Sequence, residues 1–129
     1  MKKSQTISIT LLILSLVLLT VPLNVAGDDT PPTITLIEPT KTPITTSRPM
    51  VIINITDNSN VNPDSIRLQD EKFDVTDWDE TTISNNQIRY QTSEIFPWEN
   101  GIHNLTVTVE DVHGNQASET FKFTVDTTY

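Results

Sequence analysis

The chain has 129 residues, room for one ordinary domain, and carries 17 acidic against 8 basic residues with no cysteine. That balance excludes a nucleic-acid binder, which needs lysine and arginine on the phosphates, and the missing cysteine excludes a disulfide framework. About a hundred residues bury enough surface to fold without such staples.

The N-terminus is unlike the rest. Lys2 and Lys3 precede a fifteen-residue run, Ile7 to Val21, that is apolar except at Ser8, Thr10, Ser15 and Thr20; Pro22 and then Val25-Ala26-Gly27 follow. This order of basic, apolar and small residues predicts a secretory signal over residues 1–27, cut after Gly27. The alternative is an uncleaved anchor, the chain's only expected membrane contact, but the run is shorter than the roughly 20 residues that span a bilayer. The expected location is extracellular or cell-surface. Residues 28–129 then form the domain, with six basic and 17 acidic residues and a net charge of −11.

Past residue 27 no apolar spacing of three to four persists, whereas threonine, valine and isoleucine abound, so strands are expected throughout. Asp28 to Pro32 reads as an extended lead-in, because its two prolines forbid a helix. Thr33 to Ile37 is a first strand, and Thr40 to Pro49 a proline-punctuated crossing. Met50 to Thr56 is a second strand, with Val51, Ile53 and Ile55 on one face. Asp57 to Pro63 is turn-rich, and Asp64 to Gln69 is a third strand carrying Ile66 and Leu68. Lys72 to Thr76 is a short fourth strand, and Asp77 to Asn86 a polar loop containing Trp78.

Gln87 to Thr92 is a fifth strand, followed by a connection through Trp98 to the Asn100-Gly101 turn. Ile102 to Glu110 puts His103, Leu105, Val107 and Val109 on one face; Ala117 to Asp126 puts Phe121, Phe123 and Val125 inward. About seven short strands with alternating faces predict an all-β, antiparallel two-sheet sandwich.

The run from Gly101-Ile102-His103 through Val109-Glu110-Asp111 to Gly114-Asn115 resembles the ending of prokaryotic immunoglobulin-like modules, which include cadherin-like ones. Phe121-x-Phe123-x-Val125-Asp126-Thr127-Thr128, the opening Asp29-Thr30-Pro31-Pro32-x-Ile34, and Asp57-Asn58-Ser59 with Ser65-Ile66 are similar to that family too. The resemblance covers residues 29 to 128. It implies an immunoglobulin-like β-sandwich that acts as a spacer, adhesive unit or scaffold, with other surface proteins or neighbouring immunoglobulin-like modules as partners. Fold alone does not license function.

No catalytic set is visible: His103 and His113 have no serine or cysteine nucleophile in a recognisable context, and an enzyme is not expected. His103 reads instead as a rim histidine and Trp98 as a cap on the core with its polar end in water. A sandwich brings the loop after the second strand and the last hairpin to one pole, placing Asp57, Asn58, Asp111 and Asn115 near Asp28 and Asp29. These oxygen donors suit calcium, although Asp111 to Asn115 also reads as a turn built on an Asp side chain, with residues that tolerate positive φ at Gly114 and Asn115. No other cofactor is expected, and the full acidic motifs of cadherins are missing.

Three further features stand out. Asp70, Glu71, Asp74, Asp77, Asp79 and Glu80 form an acidic group that reads as a solvated face. Asn54-Ile55-Thr56 and Asn104-Leu105-Thr106 are glycosylation sequons whose asparagines the alternation places outward. Trp78 is the aromatic best placed for an exposed glycan contact. The reading is thus a surface structural or adhesive module, against a ligand-binding module for calcium or carbohydrate.

Overall fold

The computed structural model describes residues 27–128, and the export signal expected over residues 1–27 lies, but for Gly27, outside them. Eight strands follow in chain order: β1 (Thr33–Glu38), β2 (Val51–Thr56), β3 (Arg67–Asp70), β4 (Phe73–Asp74), β5 (Thr81–Ser84), β6 (Gln87–Tyr90), β7 (Gly101–Glu110) and β8 (Gln116–Val125). They form two four-stranded sheets, β1-β2-β6-β5 and β4-β3-β7-β8, in which every neighbouring pair is antiparallel. This is the expected immunoglobulin-like sandwich, with a short extra edge strand, β4, on the second sheet. Among the described residues, no helix is long and apolar enough to cross a membrane.

The core follows from the period-two pattern. Val51, Ile53 and Ile55 of β2 are buried, as are Leu105, Val107 and Val109 of β7, so the two central strands face each other across the sandwich. Each such side chain stabilises the fold by about 1.5–3 kcal/mol on burial. β1 runs beside β2 until Leu36, where the register shifts. The chain then crosses to the other sheet, and Ile44 bridges in parallel to Val125. Ile44 N–H donates to the Thr124 carbonyl at 2.8 Å, and Asp126 N–H to the Ile44 carbonyl at 2.8 Å. The prolines of the crossing therefore sit where the chain changes sheets and no continuous ladder is possible.

Three expectations are corrected. The third strand was expected from Asp64, but Pro63–Ser65 forms a 3₁₀ turn and β3 starts only at Arg67. Asn62 caps that turn by accepting from Asp64 N–H at 3.2 Å, and Pro63 supplies a fixed φ at its start. The fourth strand shrinks to Phe73–Asp74, because Val75 N–H already donates to the Leu68 carbonyl and Thr76 turns back on Asp74. The polar loop Asp77 to Asn86 contains a full strand, β5. Asn85 and Asn86 have φ of 51° and 60°, the left-handed pair of a tight hairpin turn, and Asn tolerates that conformation better than other non-glycine residues.

Candidate functional site

The first pole is built from the lead-in, the loop after β2 and the β7–β8 hairpin. The latter two are stitched by backbone: Asn62 N–H donates to the Glu110 carbonyl at 2.9 Å, and Val112 N–H to the Asn60 carbonyl at 2.8 Å. Ser65 Oγ accepts from Glu110 N–H at 2.8 Å and lies 3.1 Å from the Glu110 carbonyl. Asp111, only 1% exposed, organises the hairpin. Its Oδ1 accepts from His113 N–H and Asn115 N–H at 2.8 and 2.9 Å, and its Oδ2 accepts from Asn115 Nδ2 at 2.8 Å. Gly114 supplies the positive φ, 86°, that closes this turn.

Asn115 Nδ2 also donates to the Asp28 carbonyl at 2.7 Å and so pins the lead-in to the hairpin. One oxygen each of Asp28, Asp57 and Asp111 then lie within 4.8 Å of one another. Ser59 Oγ stands between two of them, 2.6 Å from Asp57 Oδ2 and 2.9 Å from Asp28 Oδ2, but has one hydrogen to give. Asp57 Oδ1 is buried with no hydrogen-bond partner among the described residues. The Thr30 backbone N–H holds the Asp28 carboxyl well below the usual carboxylate range, against its partial desolvation and with help from Asn58 and Ser59.

The structure thus brings together Asp57, Asp111, Asn115 and Asp28, with Asn58 near enough to Asp28 to help lower its pKa; Asp29 is exposed and outside the cluster. Asn115 serves the cluster as a donor through Nδ2. Chemically, three close carboxylate oxygens suit a hard cation, which would relieve their mutual repulsion.

The opposite pole is organised by another carboxylate. Asp70 Oδ2 accepts from Tyr90 Oη at 2.7 Å and from Trp98 Nε1 at 2.9 Å. Two expectations change here. Trp98 caps the core as expected, but its indole N–H is held by Asp70 instead of water. Asp70 is likewise a tie between the sheets and not part of a solvated acidic face, a role the spacing along the chain could not show. Burial, followed by the Asp70 bond and charge, pushes the Tyr90 phenol well above its usual range. Trp98 stacks on His103, with ring centroids 4.9 Å apart and planes at 8°, and on Phe123 at 5.6 Å. His103 Nε2 donates to the Glu99 carbonyl at 2.6 Å.

Beside this tie lies a groove of roughly 580 Å³. Trp78 forms one wall with Phe73, their ring centroids 6.5 Å apart and tilted by 40°. The exposed Ile95 and Phe96 also line it. The sequence reading singled out Trp78 but passed over Ile95 and Phe96; two consecutive large apolar residues in a connection bounded by Glu94 and Pro97 were the available signal. Of the sequon asparagines, Asn54 is half-buried and its Oδ1 accepts from Gln87 Nε2 at 2.8 Å. Asn104 is also half-buried, with its Oδ1 buried and without a hydrogen-bond partner among the described residues.

The model of the Bacterial Ig-like domain family matches residues 30–127, which takes in both sheets and nearly all of both poles. The comparison with curated proteins gives no match. Strand order, the β7–β8 hairpin centred on Asp111 and the span of the match agree, and the chain belongs to the bacterial immunoglobulin-like domain family.

Proposed function

We propose that this chain is a non-catalytic structural and adhesive module of a cell surface, which spaces neighbouring modules and presents its loops to other surface proteins. The observation that carries the reading is the path of the chain through the sandwich. The lead-in is held at the Asp111 end of β7 by Asn115, whereas β8 finishes at the other end, where Val125 pairs with Gly101. Thr127 N–H there donates to Asn100 Oδ1 at 2.9 Å. The ten residues of β7 separate these ends by about 30 Å. A rigid body that takes in the chain at one pole and releases it at the other suits a bead in a surface array.

Beads coated with the protein should adhere to cells of the producing species and be displaced by the soluble protein. Adhesion no greater than that of uncoated beads would overturn the adhesive part of the reading.

A second reading rests on the first pole: Asp28, Asp57 and Asp111 hold calcium. The crowding of three carboxylates and the unpartnered Asp57 Oδ1 favour it. Binding to the folded state alone raises stability by mass action. Millimolar calcium should therefore raise the melting temperature of the protein and leave that of Asp57→Asn nearly unchanged. An unchanged melting curve for the unsubstituted protein would sink the idea.

A further inference from the structure

The groove at the far pole has three properties that belong to a binding site. Its walls are apolar and exposed: Ile95 is 80% and Phe96 76% accessible, and they stand together with Phe73 and Trp78 in one contiguous patch. Its charged lining is chiefly acidic: Asp70, Glu71 and Glu80 line it and neither lysine nor arginine does, and the one basic side chain, His103, has its Nδ1 3.7 Å from Glu71 Oε1. Thr92, which also lines it, is 5% exposed, and its hydroxyl is buried with no hydrogen-bond partner among the described residues. A buried hydroxyl left unpaired costs free energy, so the protein does not by itself satisfy all the polar groups of this lining.

We infer that this groove binds a short peptide segment of a partner protein in which apolar side chains alternate with arginine or lysine. The apolar side chains would cover Phe73, Trp78, Ile95 and Phe96, and the cation would meet Glu80, which lines the same groove. The chain itself sets a cation beside one of these rings: Lys72 Nζ lies 5.7 Å from the centroid of the Phe73 ring. An acidic segment would be repelled by the three carboxylates.

A sugar fits less well. Trp98 is buried, with His103 and Phe123 stacked against it, and the exposed pair Phe73 and Trp78 is tilted, so no broad flat platform is on offer. This inference rests on the adhesive reading above and names the surface and partner chemistry through which it would work.

Both tryptophans of the chain, Trp78 and Trp98, line the groove, so intrinsic fluorescence reports directly on it. The probe is an end-capped pentapeptide, Leu-Arg-Phe-Arg-Leu, titrated into the protein. A saturable change in fluorescence is expected, and Leu-Glu-Phe-Glu-Leu should give none. Phe96→Ser, at an exposed position, should leave the melting temperature unchanged and weaken binding about tenfold or more. Glu80→Gln should weaken it by about two- to fivefold.

No response to the basic peptide, an equal response to the acidic one, or unchanged affinity in Phe96→Ser would each overturn the inference. Saturation by a neutral glucose oligosaccharide in place of the peptide would overturn it in favour of a glycan site. The two readings separate in the bead assay. Adhesion that is the same for the protein and for Phe96→Ser removes the groove and leaves adhesion standing, whereas peptide binding without adhesion does the reverse.

Discussion

Each pole of the sandwich is organised by a carboxylate, but the two use different donors. Asp111 accepts from two backbone N–H groups and an amide, all within four residues of it in sequence. Asp70 accepts from Tyr90 and Trp98, which lie 20 and 28 residues away. Asp111 thus fixes the shape of one hairpin, while Asp70 ties β3 to β6 in the opposite sheet and to the connection before β7. The surroundings differ accordingly. A carboxylate satisfied by local backbone leaves room for others to gather, and Asp28 and Asp57 do so. A carboxylate satisfied by aromatic side chains collects apolar surface around itself, and the groove is the result.

The comparison is tested most strongly at Asp111. Replacing it with alanine leaves three donors without their acceptor at a site 1% exposed. Bonds to a charged acceptor are worth about 1.5–3 kcal/mol each, and the relief of repulsion with Asp28 and Asp57 offsets part of the loss. Urea denaturation should show Asp111→Ala destabilised by about 3–4 kcal/mol, whereas Asp111→Asn, which keeps an acceptor, should lose about half of that. Equal losses for the two would mean that charge, not acceptance, holds the hairpin.

Asp70→Ala comes next, at about 2–3 kcal/mol, because it frees the buried Tyr90 hydroxyl and the Trp98 indole. It also carries a signature that the first pole lacks. Tyr90 has its phenol pKa raised by burial and by Asp70, so the folded protein keeps it neutral where the unfolded chain ionises it. Its contribution to stability is therefore complete below about pH 10 and is lost as pH rises beyond that. Asp70→Ala removes part of the upward shift, so the alkaline decline should level off at a lower pH in that variant. A decline that runs to the same pH in both proteins would assign the shift to burial alone.

The first pole was legible because its parts announce themselves locally. Asp111 to Asn115 is a turn signature, alternation in β2 and β7 fixes where Asp57 and Asp111 fall, and the sandwich then brings them together. The second pole was not, because its tie spans residues 70, 90 and 98, and no spacing within one segment reveals a bond between sheets. β5 escaped for a related reason. Thr81–Ser84 is a strand only because Asn85 and Asn86 reverse the chain onto β6, and the acidic residues before it have the composition of a loop. Where the turn and the strand were both marked, as in β7 and β8, the reading and the structure agree to within a residue or two.

The smallest effect concerns carboxylates that accept from backbone two residues on, the device of Asp111 transplanted to the exposed surface of the far pole. Asp74 has its pKa lowered by Thr76, through the hydroxyl and the backbone N–H, and Asp126 is lowered in the same way by Thr128. A carboxyl whose pKa is depressed by folding contributes stability above its unfolded value, near 4, and loses it as pH falls through the folded one. Acid should therefore weaken the protein progressively below about pH 4, and Asp74→Asn should flatten that decline only slightly, because water competes for the same bonds at an exposed site. The contrast with Asp111 is one of burial: the geometry of the turn is similar, but solvent can replace Thr76 as Asp74's partner and cannot reach Asp111 to do the same. A flattening as large as the whole acid transition would show that the Asp74 turn, and with it the edge strand β4, holds the far pole together as firmly as Asp70 does.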